Sequence, residues 1–337
     1  MQIIFLSRLY NPHIGGVETH VAKLSQALRK KGHTITVITS QHDPELSLYE
    51  TISNVKIVRI PHHLLDSKFK LWFWMLEHIG LFKTADLIHA HDVFWWFLPL
   101  KFLILKPIFT TFHGWEGRFP PTHRAILWRK LAELLSCGHI CVGEFITHWY
   151  HTKASVIIYG ATDQKPLGPN KGQGILVLGR LDPDNDLDII IGALKTIQKH
   201  RRNLKITFVG DGPLAAKAGK VGTVHGFQSD ISKYLEHNNL VITSSYLSML
   251  DAMATGRRVF SVYSNPLKKD YLRLHPASNR FTAHSDPDSL AQALNLYLRD
   301  PSPDSVKITS AKRWASKQTW SHLADTYLKL WHLKMDT

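Results

Sequence analysis

Short apolar runs alternate along this chain with longer segments in which apolar residues return every three or four positions. Gln2–Leu6 is a run of the first kind, the length of a buried strand. Val17, Val21, Leu24 and Leu28 follow at spacings of four, three and four, one face of a helix. Gly32 after Lys30 and Lys31 is a helix stop. Further strands are predicted at 34–39, 55–60, 86–89, 107–111, 139–142 and 155–158, with helices over 67–82, 122–135 and 144–150. The alternation breaks at YGATDQKPLGPNKGQG, residues 159–174, which reads as a linker. It then restarts, with strands at 175–178, 205–209, 222–224, 240–243 and 259–262. Helices are predicted over 186–199, 229–236, 247–255 and 288–298, and two more, 304–316 and 319–333, close the chain. Apolar strands alternating with helices predict an α/β fold with parallel sheets covered on both faces. The expectation is two doubly wound domains, 1–160 and 161–313, facing across a cleft, with a terminal segment 314–337. Open sheets of this kind bind ligands beyond the carboxyl ends of their strands.

Composition narrows the class. The 337 residues are 44% hydrophobic and 20% charged, a globular balance. No run reaches the ~18 apolar residues of a membrane span, and MQIIFLSRLY lacks the features of a signal peptide. Cys137 and Cys141 are too few for a disulfide framework, so a cytoplasmic setting with reduced thiols is expected. The net charge of +14 admits nucleic acid, an anionic membrane or small acidic molecules. The excess is spread over both halves, without a basic arm or a nucleic-acid-binding motif, so no nucleic-acid partner is expected.

Each half opens on a strand, a glycine-containing loop and a helix. In the first, Gly15 and Gly16 precede the helix, where backbone N–H groups and the positive helix end suit a phosphate or simply make a tight turn. In the second, Gly179 and Arg180 follow a strand, and a guanidinium there suits a phosphate. Gly210, Asp211 and Gly212 repeat the device after the next strand. Asp182, Asp184 and Asp186 spell an overlapping DxD. Acidic residues are also common at a helix start, and no bound metal is expected.

Taken jointly, PHIGGVETHVAKLSQALRKKGHTITVIT, ADLIHAHD with TTFHG, ILVLGRLDPDNDLDIIIGAL, FVGDGP with VHGF, SSYLSMLDAMATGRRVFSV and WASKQTW resemble the family-4 glycosyltransferases of the GT-B fold, over nearly the whole length and in order. The resemblance implies retaining transfer of a sugar from a nucleotide-sugar donor, without cofactor or resident metal, to a glycan, lipid-linked or cell-envelope acceptor. It implies terminal helices that return to the first domain. It also implies roles. Gly15 and Gly16 would approach the diphosphate and His113 the transferred sugar. Gly179, Arg180, Gly210 and Asp211 would hold the diphosphate and nucleotide. Asp251 stands where the family has a ribose-binding glutamate. His91, Ser244 and Ser245 are further candidates.

Three positions depart from the family's pattern. A lysine is replaced by Asn185, with Asp186 in place of the usual glycine; a first glutamate is replaced by Thr243; and the ribose-binding glutamate is shortened to Asp251. A protein that binds nucleotide sugar or glycan without turning it over is therefore the alternative reading. Residues 65–105, with Trp72, Trp74, Trp95 and Trp96 among Lys68, Lys70, Lys83 and Lys101, suggest either core helices or peripheral contact with an anionic membrane through the indoles.

Overall fold

A computed structural model describes residues 1–114, 117–168 and 174–335. The chain divides into two units, Met1–Ile158 with Trp320–Thr337, and Tyr159–Thr319. The division comes at Trp320, whereas the sequence placed it at 313, inside the Ser305–Ala315 helix. That helix stays in the second unit, burying Ala311 and Ala315 against the Tyr246–Ala254 helix.

The first unit holds β1 (Gln2–Ser7), β2 (Thr34–Ser40), β3 (Tyr49–Ile52), β4 (Val55–Ile60), β5 (Leu87–His91), β6 (Ile108–Phe112), β7 (Gly138–Val142) and β8 (Val156–Ile158). Their order is β3-β4-β2-β1-β5-β6-β7-β8. All pair in parallel except β3, an antiparallel edge strand that the sequence reading missed. Its signal is a two-residue turn, Ser53-Asn54, with φ of 52° and 62°. Both residues take the left-handed conformation of a tight hairpin turn without the usual glycine. β1 lies between β2 and β5, with Ile3 opposite both Ile35 and Leu87, so its apolar run is covered on both faces.

The expected helix over 67–82 is two helices, Lys68–Glu77 and Ile79–Lys83. His78 makes the break: its ring stacks on Trp74 at 3.9 Å and its Nδ1 lies 2.9 Å from the Trp74 carbonyl. The indoles are corrected too. Trp74 and Trp96 are buried, and Trp72 and Trp95 are half-buried, so they serve the core more than a surface.

The second unit has six parallel strands, β9 (Gly174–Leu178), β10 (Ile206–Val209), β11 (Thr223–Val224), β12 (Asn238–Ile242), β13 (Arg258–Val262) and β14 (Thr282–His284), in the order β11-β10-β9-β12-β13-β14. Ile175, Val177, Phe208 and Ile242 meet the Leu187–Gln198 helix in one core. The Pro266–Arg273 helix and β14 were not anticipated. The helix does carry a start signal, since Asn265 Oδ1 accepts from the Lys268 N–H at 3.0 Å and Pro266 opens the first turn. In both sheets the strand order reverses beside the first strand of the unit, and ligands gather at the carboxyl ends there.

The last helix, Trp320–Met335, completes the first unit. Tyr327 and Trp331 are fully buried, and Trp331 Nε1 donates to His89 Nδ1 at 3.1 Å. Trp331→Ala should lower stability by about 3–5 kcal/mol, because it opens a cavity and strands the imidazole. Urea unfolding checks this, and a loss below about 1 kcal/mol would show that the helix does not seal the core.

Candidate functional site

In the second unit a small hollow of about 10 Å³ lies at the carboxyl ends of β9 and β12. Gly179, Arg180, Asn185, Thr243, Ser244 and Ser245 line it above an apolar base. The two glycine turns are locked by backbone bonds: Gly179 N–H donates to the Val209 carbonyl at 3.1 Å and Leu181 N–H to that of Asp211 at 2.8 Å. Gly210 has φ of 147°, and a Cβ on it would meet the Gly179 carbonyl oxygen. Only glycine allows that approach. Asp211 is exposed, and its Oδ1 accepts from Gly212 N–H at 2.8 Å.

Ser244 Oγ donates to the Val262 carbonyl at 2.9 Å, and Thr243 Oγ1 accepts from Ser245 N–H at 3.3 Å. Thr243, in place of the family's first glutamate, is buried and ties the short loop to itself. Asp251 lies farther along the Tyr246–Ala254 helix, outside the hollow's lining. It is half-buried, and its Oδ1 accepts from Thr162 Oγ1 at 2.5 Å.

The cations of this region face aspartates. Arg180 Nη1 is 3.3 Å from Asp182, whose carboxyl is pushed up by burial against the opposing pull of Arg180. Asp186 takes the left-handed conformation, φ 55°, that fits the glycine usual there. Its Oδ1 meets Lys268 Nζ at 2.8 Å, and its Oδ2 is buried without a hydrogen-bond partner. Lys268 went unnoticed in the sequence, because only folding carries it to a residue 82 positions earlier. Among the described residues no three His, Cys, Asp or Glu side chains are grouped so as to hold a metal ion.

In the first unit Gly15 caps the Gly16–Lys30 helix. A Cβ on Gly15 would collide with the Glu18 carboxylate, while Gly16 is open. Glu18 is buried and pairs with His13 Nδ1 at 3.0 Å. The helix start expected to welcome a phosphate thus already holds a carboxylate of its own, which is favourable there. An acidic residue at the third helical position was the available signal.

Four histidines gather behind this loop. Trp331 Nε1 can only donate, so His89 Nδ1 accepts and its proton sits on Nε2, 2.7 Å from Thr111 Oγ1. Thr111 lies 3.0 Å from Tyr327 Oη, which lies 3.0 Å from His20 Nε2. One direction of donation, Thr111 to Tyr327 to His20, uses every hydroxyl proton in the chain. Burial pushes His20 and His89 down to about 3, and His91 and His113 well below the usual range. All four are neutral.

His91 Nδ1 lies 2.8 Å from His113 Nε2, with one proton between them. His91 Nε2 is buried without a partner. A bare acceptor is tolerated better than a bare N–H, so the proton belongs on His91 Nδ1 and that of His113 on its own Nδ1. The His113 backbone N–H donates to Asp92 Oδ1 at 3.0 Å. His91 and His113 are therefore brought together, as are Gly179, Arg180, Ser244 and Ser245. A neutral imidazole with its proton on Nδ1 offers a hydrogen bond rather than a proton sink.

Two doubly wound units, each with its polar residues at the carboxyl edge of a parallel sheet, define a GT-B glycosyltransferase fold. Residues 14–163 match the family described as Glycosyltransferase Family 4, and residues 172–300 match Glycosyl transferases group 1. Between them the two matches take in most of the chain, which belongs to the family-4-type glycosyltransferases. An uncharacterised glycosyltransferase of Methanocaldococcus jannaschii is 25% identical, covering 100% of this chain and 99% of its own. The phosphatidyl-myo-inositol mannosyltransferase of Mycolicibacterium smegmatis is 22% identical, covering 94% and 90%. Among solved structures, a sucrose-phosphate synthase from Thermosynechococcus elongatus superposes with a TM-score of 0.80 at 17% identity, over 99% of both chains. Anabaena HepE in complex with UDP-glucose gives 0.73 at 16%, over 98% and 99%.

The histidines also set a pH dependence. His20 and His89 lie near 3 when folded against an ordinary 6.5, so below about pH 6.5 the unfolded chain binds more protons. Their contribution is complete above that pH and is lost as pH falls toward 3, by up to about 1.4 kcal/mol per pH unit for each. The urea midpoint should drop steadily between about pH 6.5 and 4.5. A flat midpoint would mean that these rings are charged or solvated in the folded protein.

Proposed function

We propose that the protein transfers a sugar from a nucleotide-sugar donor to a lipid-linked or cell-envelope acceptor, with retention of configuration and without a resident metal or cofactor. The observation that carries this reading is the hollow between β9 and β12, with Gly179, Arg180, Ser244 and Ser245 at its mouth. The Arg180 guanidinium and the Ser245 hydroxyl suit the diphosphate of the donor, where charge develops as the bond to the sugar breaks. Asp251 holds the ribose, and Gly210 and Asp211 lie under the nucleotide. Gly15 and Gly16 are proposed to approach the diphosphate, and His113 to donate a hydrogen bond to the sugar through Nδ1, with His91 holding its ring. The solved relative bound to UDP-glucose supports a donor of that class. The mannosyltransferase named for phosphatidyl-myo-inositol supports a lipid acceptor. Such an acceptor sits in a bilayer, so the reading includes peripheral work at an anionic membrane from the cytoplasm. The free thiols of Cys137 and Cys141 are in keeping with that compartment.

A second reading, donor binding with little turnover, is favoured by one specific arrangement. Asn185 supplies no charge, and both nearby cations already hold aspartates. Incubation with a panel of nucleotide sugars, followed by measurement of released nucleoside diphosphate and of product anomer, separates the two. Turnover that survives a chelator supports the metal-free reaction.

Two variants test the assignments. Arg180→Ala should weaken nucleoside diphosphate binding at least about tenfold, the scale of one charged hydrogen bond, and leave nucleoside binding nearly unchanged. Calorimetric titration reads both, and equal losses would remove Arg180 from the phosphate site. His113→Ala should cut turnover by about a hundredfold or more while nucleoside diphosphate affinity survives. A parallel fall in affinity would make His113 structural.

A further inference from the structure

Among the described residues, a departure from ordinary surface chemistry lies in the first unit. The Lys68–Glu77 helix buries Leu71, Trp74 and Met75. Its other face carries Phe69, Phe73 and Leu76, four and three residues apart, and Phe69 is 78% exposed. This is an amphipathic stripe turned to solvent. After the Phe94–Phe97 helix, Phe102, Leu103 and Leu105 stand out around a buried Ile104, and Leu105 is 98% exposed. On the His123–Leu135 helix, Leu127 and Leu134 are exposed seven residues apart. The Lys68–Glu77, Phe94–Phe97 and His123–Leu135 helices are neighbours: Trp72 Nε1 donates to the Trp95 carbonyl at 2.9 Å, and Lys68 Nζ lies 5.4 Å from the ring centres of both Trp95 and Trp128. The 102–105 tip follows directly on the second of them, where Lys101 N–H donates to the Phe97 carbonyl at 3.0 Å.

Exposed apolar side chains gathered this way mark a surface that something covers. The charges beside them choose the occupant. Lys68, Lys70, Lys101, Lys106 and Arg124 stand on these elements against Asp66, Glu77 and Glu133. Of the bases, Lys70 is held by Asp66 at 3.0 Å, while Lys68 lies over indoles. A second copy docked face to face would set one basic rim against another. An anionic bilayer satisfies both features at once: phenylalanines and leucines enter the acyl boundary while ammonium groups stay at the headgroups.

We propose that the Lys68–Glu77 stripe, the Phe102–Leu105 tip and the exposed side of the His123–Leu135 helix form a docking surface for an anionic membrane. Phenylalanine and leucine, not the indoles singled out from the sequence, make the contact. The proposal shares with the transfer reading only its membrane-borne acceptor and stands on the surface itself.

The test is co-sedimentation with vesicles of phosphatidylcholine alone and of phosphatidylcholine mixed with phosphatidylglycerol, at low and high salt. The protein should pellet with the mixed vesicles, be released by salt, and stay in solution with phosphatidylcholine. The pair Phe102→Glu with Leu105→Glu should cut the bound fraction at least about tenfold. Both positions are exposed, so the urea midpoint should be unchanged. Donor hydrolysis by this pair should match the parent, which separates failure of docking from failure of the transfer reading. Protein that stays in the supernatant with mixed vesicles at low salt overturns the proposal. So does a double variant that binds as the parent does, or a parent dimer that the double variant dissociates.

Discussion

The bond from the Trp331 indole to His89 organises the first unit. An indole N–H cannot accept, so this one contact fixes the proton of His89 and, through Thr111 and Tyr327, the direction of a buried polar chain ending on His20. It also holds the last helix against strands that lie more than 200 residues earlier. Buried polar groups are costly when unpaired, so the chain works as a set. His91 and His113 stand beside it: the ring of His91 lies 4.9 Å from that of His89, and the ring of His113 lies 4.7 Å from that of His20. Their neutrality follows from the same burial.

The second unit rests on a different constraint, the near-contact of two backbone turns. Gly210 approaches the Gly179 carbonyl more closely than any side chain permits, which sets β9 and β10 so that their loops share one floor. Arg180 and Lys268 bring positive charge to its edge, and Asp182 and Asp186 offset it. In the proposed reading, an incoming diphosphate would compete with those carboxylates for the same groups. That competition is the physical content of the departures at Asn185 and Asp186. It would lower affinity relative to a site whose cations are free, while Arg180, 57% exposed, has room to turn toward a ligand.

The period of the hydrophobic pattern, by itself, determined the α/β class, the parallel strands and the two-part organisation. Those features depend on local spacing: a strand covered on both faces must be continuously apolar, and a helix must repeat every three or four residues. The glycine turns were legible for a related reason, since positive φ and close approach restrict the residue at that position. The Gly-Gly, Gly-Arg and Gly-Asp-Gly spellings also carry the family resemblance.

Tertiary structure alone decided the rest. β3 depends on a Ser-Asn turn that its neighbours stabilise, and the break at His78 depends on a ring stacking back on Trp74. Lys268 meets Asp186, and Tyr327 meets Thr111 and His20, through contacts between residues far apart in the chain. Phe69, Phe73 and Leu76 show the limit most plainly. Their spacing fits a buried helical face, and the indoles beside them suit a membrane. Periodicity gives the faces of a helix but not which face meets the sheet, and packing turned Trp74 inward and the phenylalanines outward. The pattern along a chain records what each residue prefers next to its neighbours, while burial is a property of the whole fold.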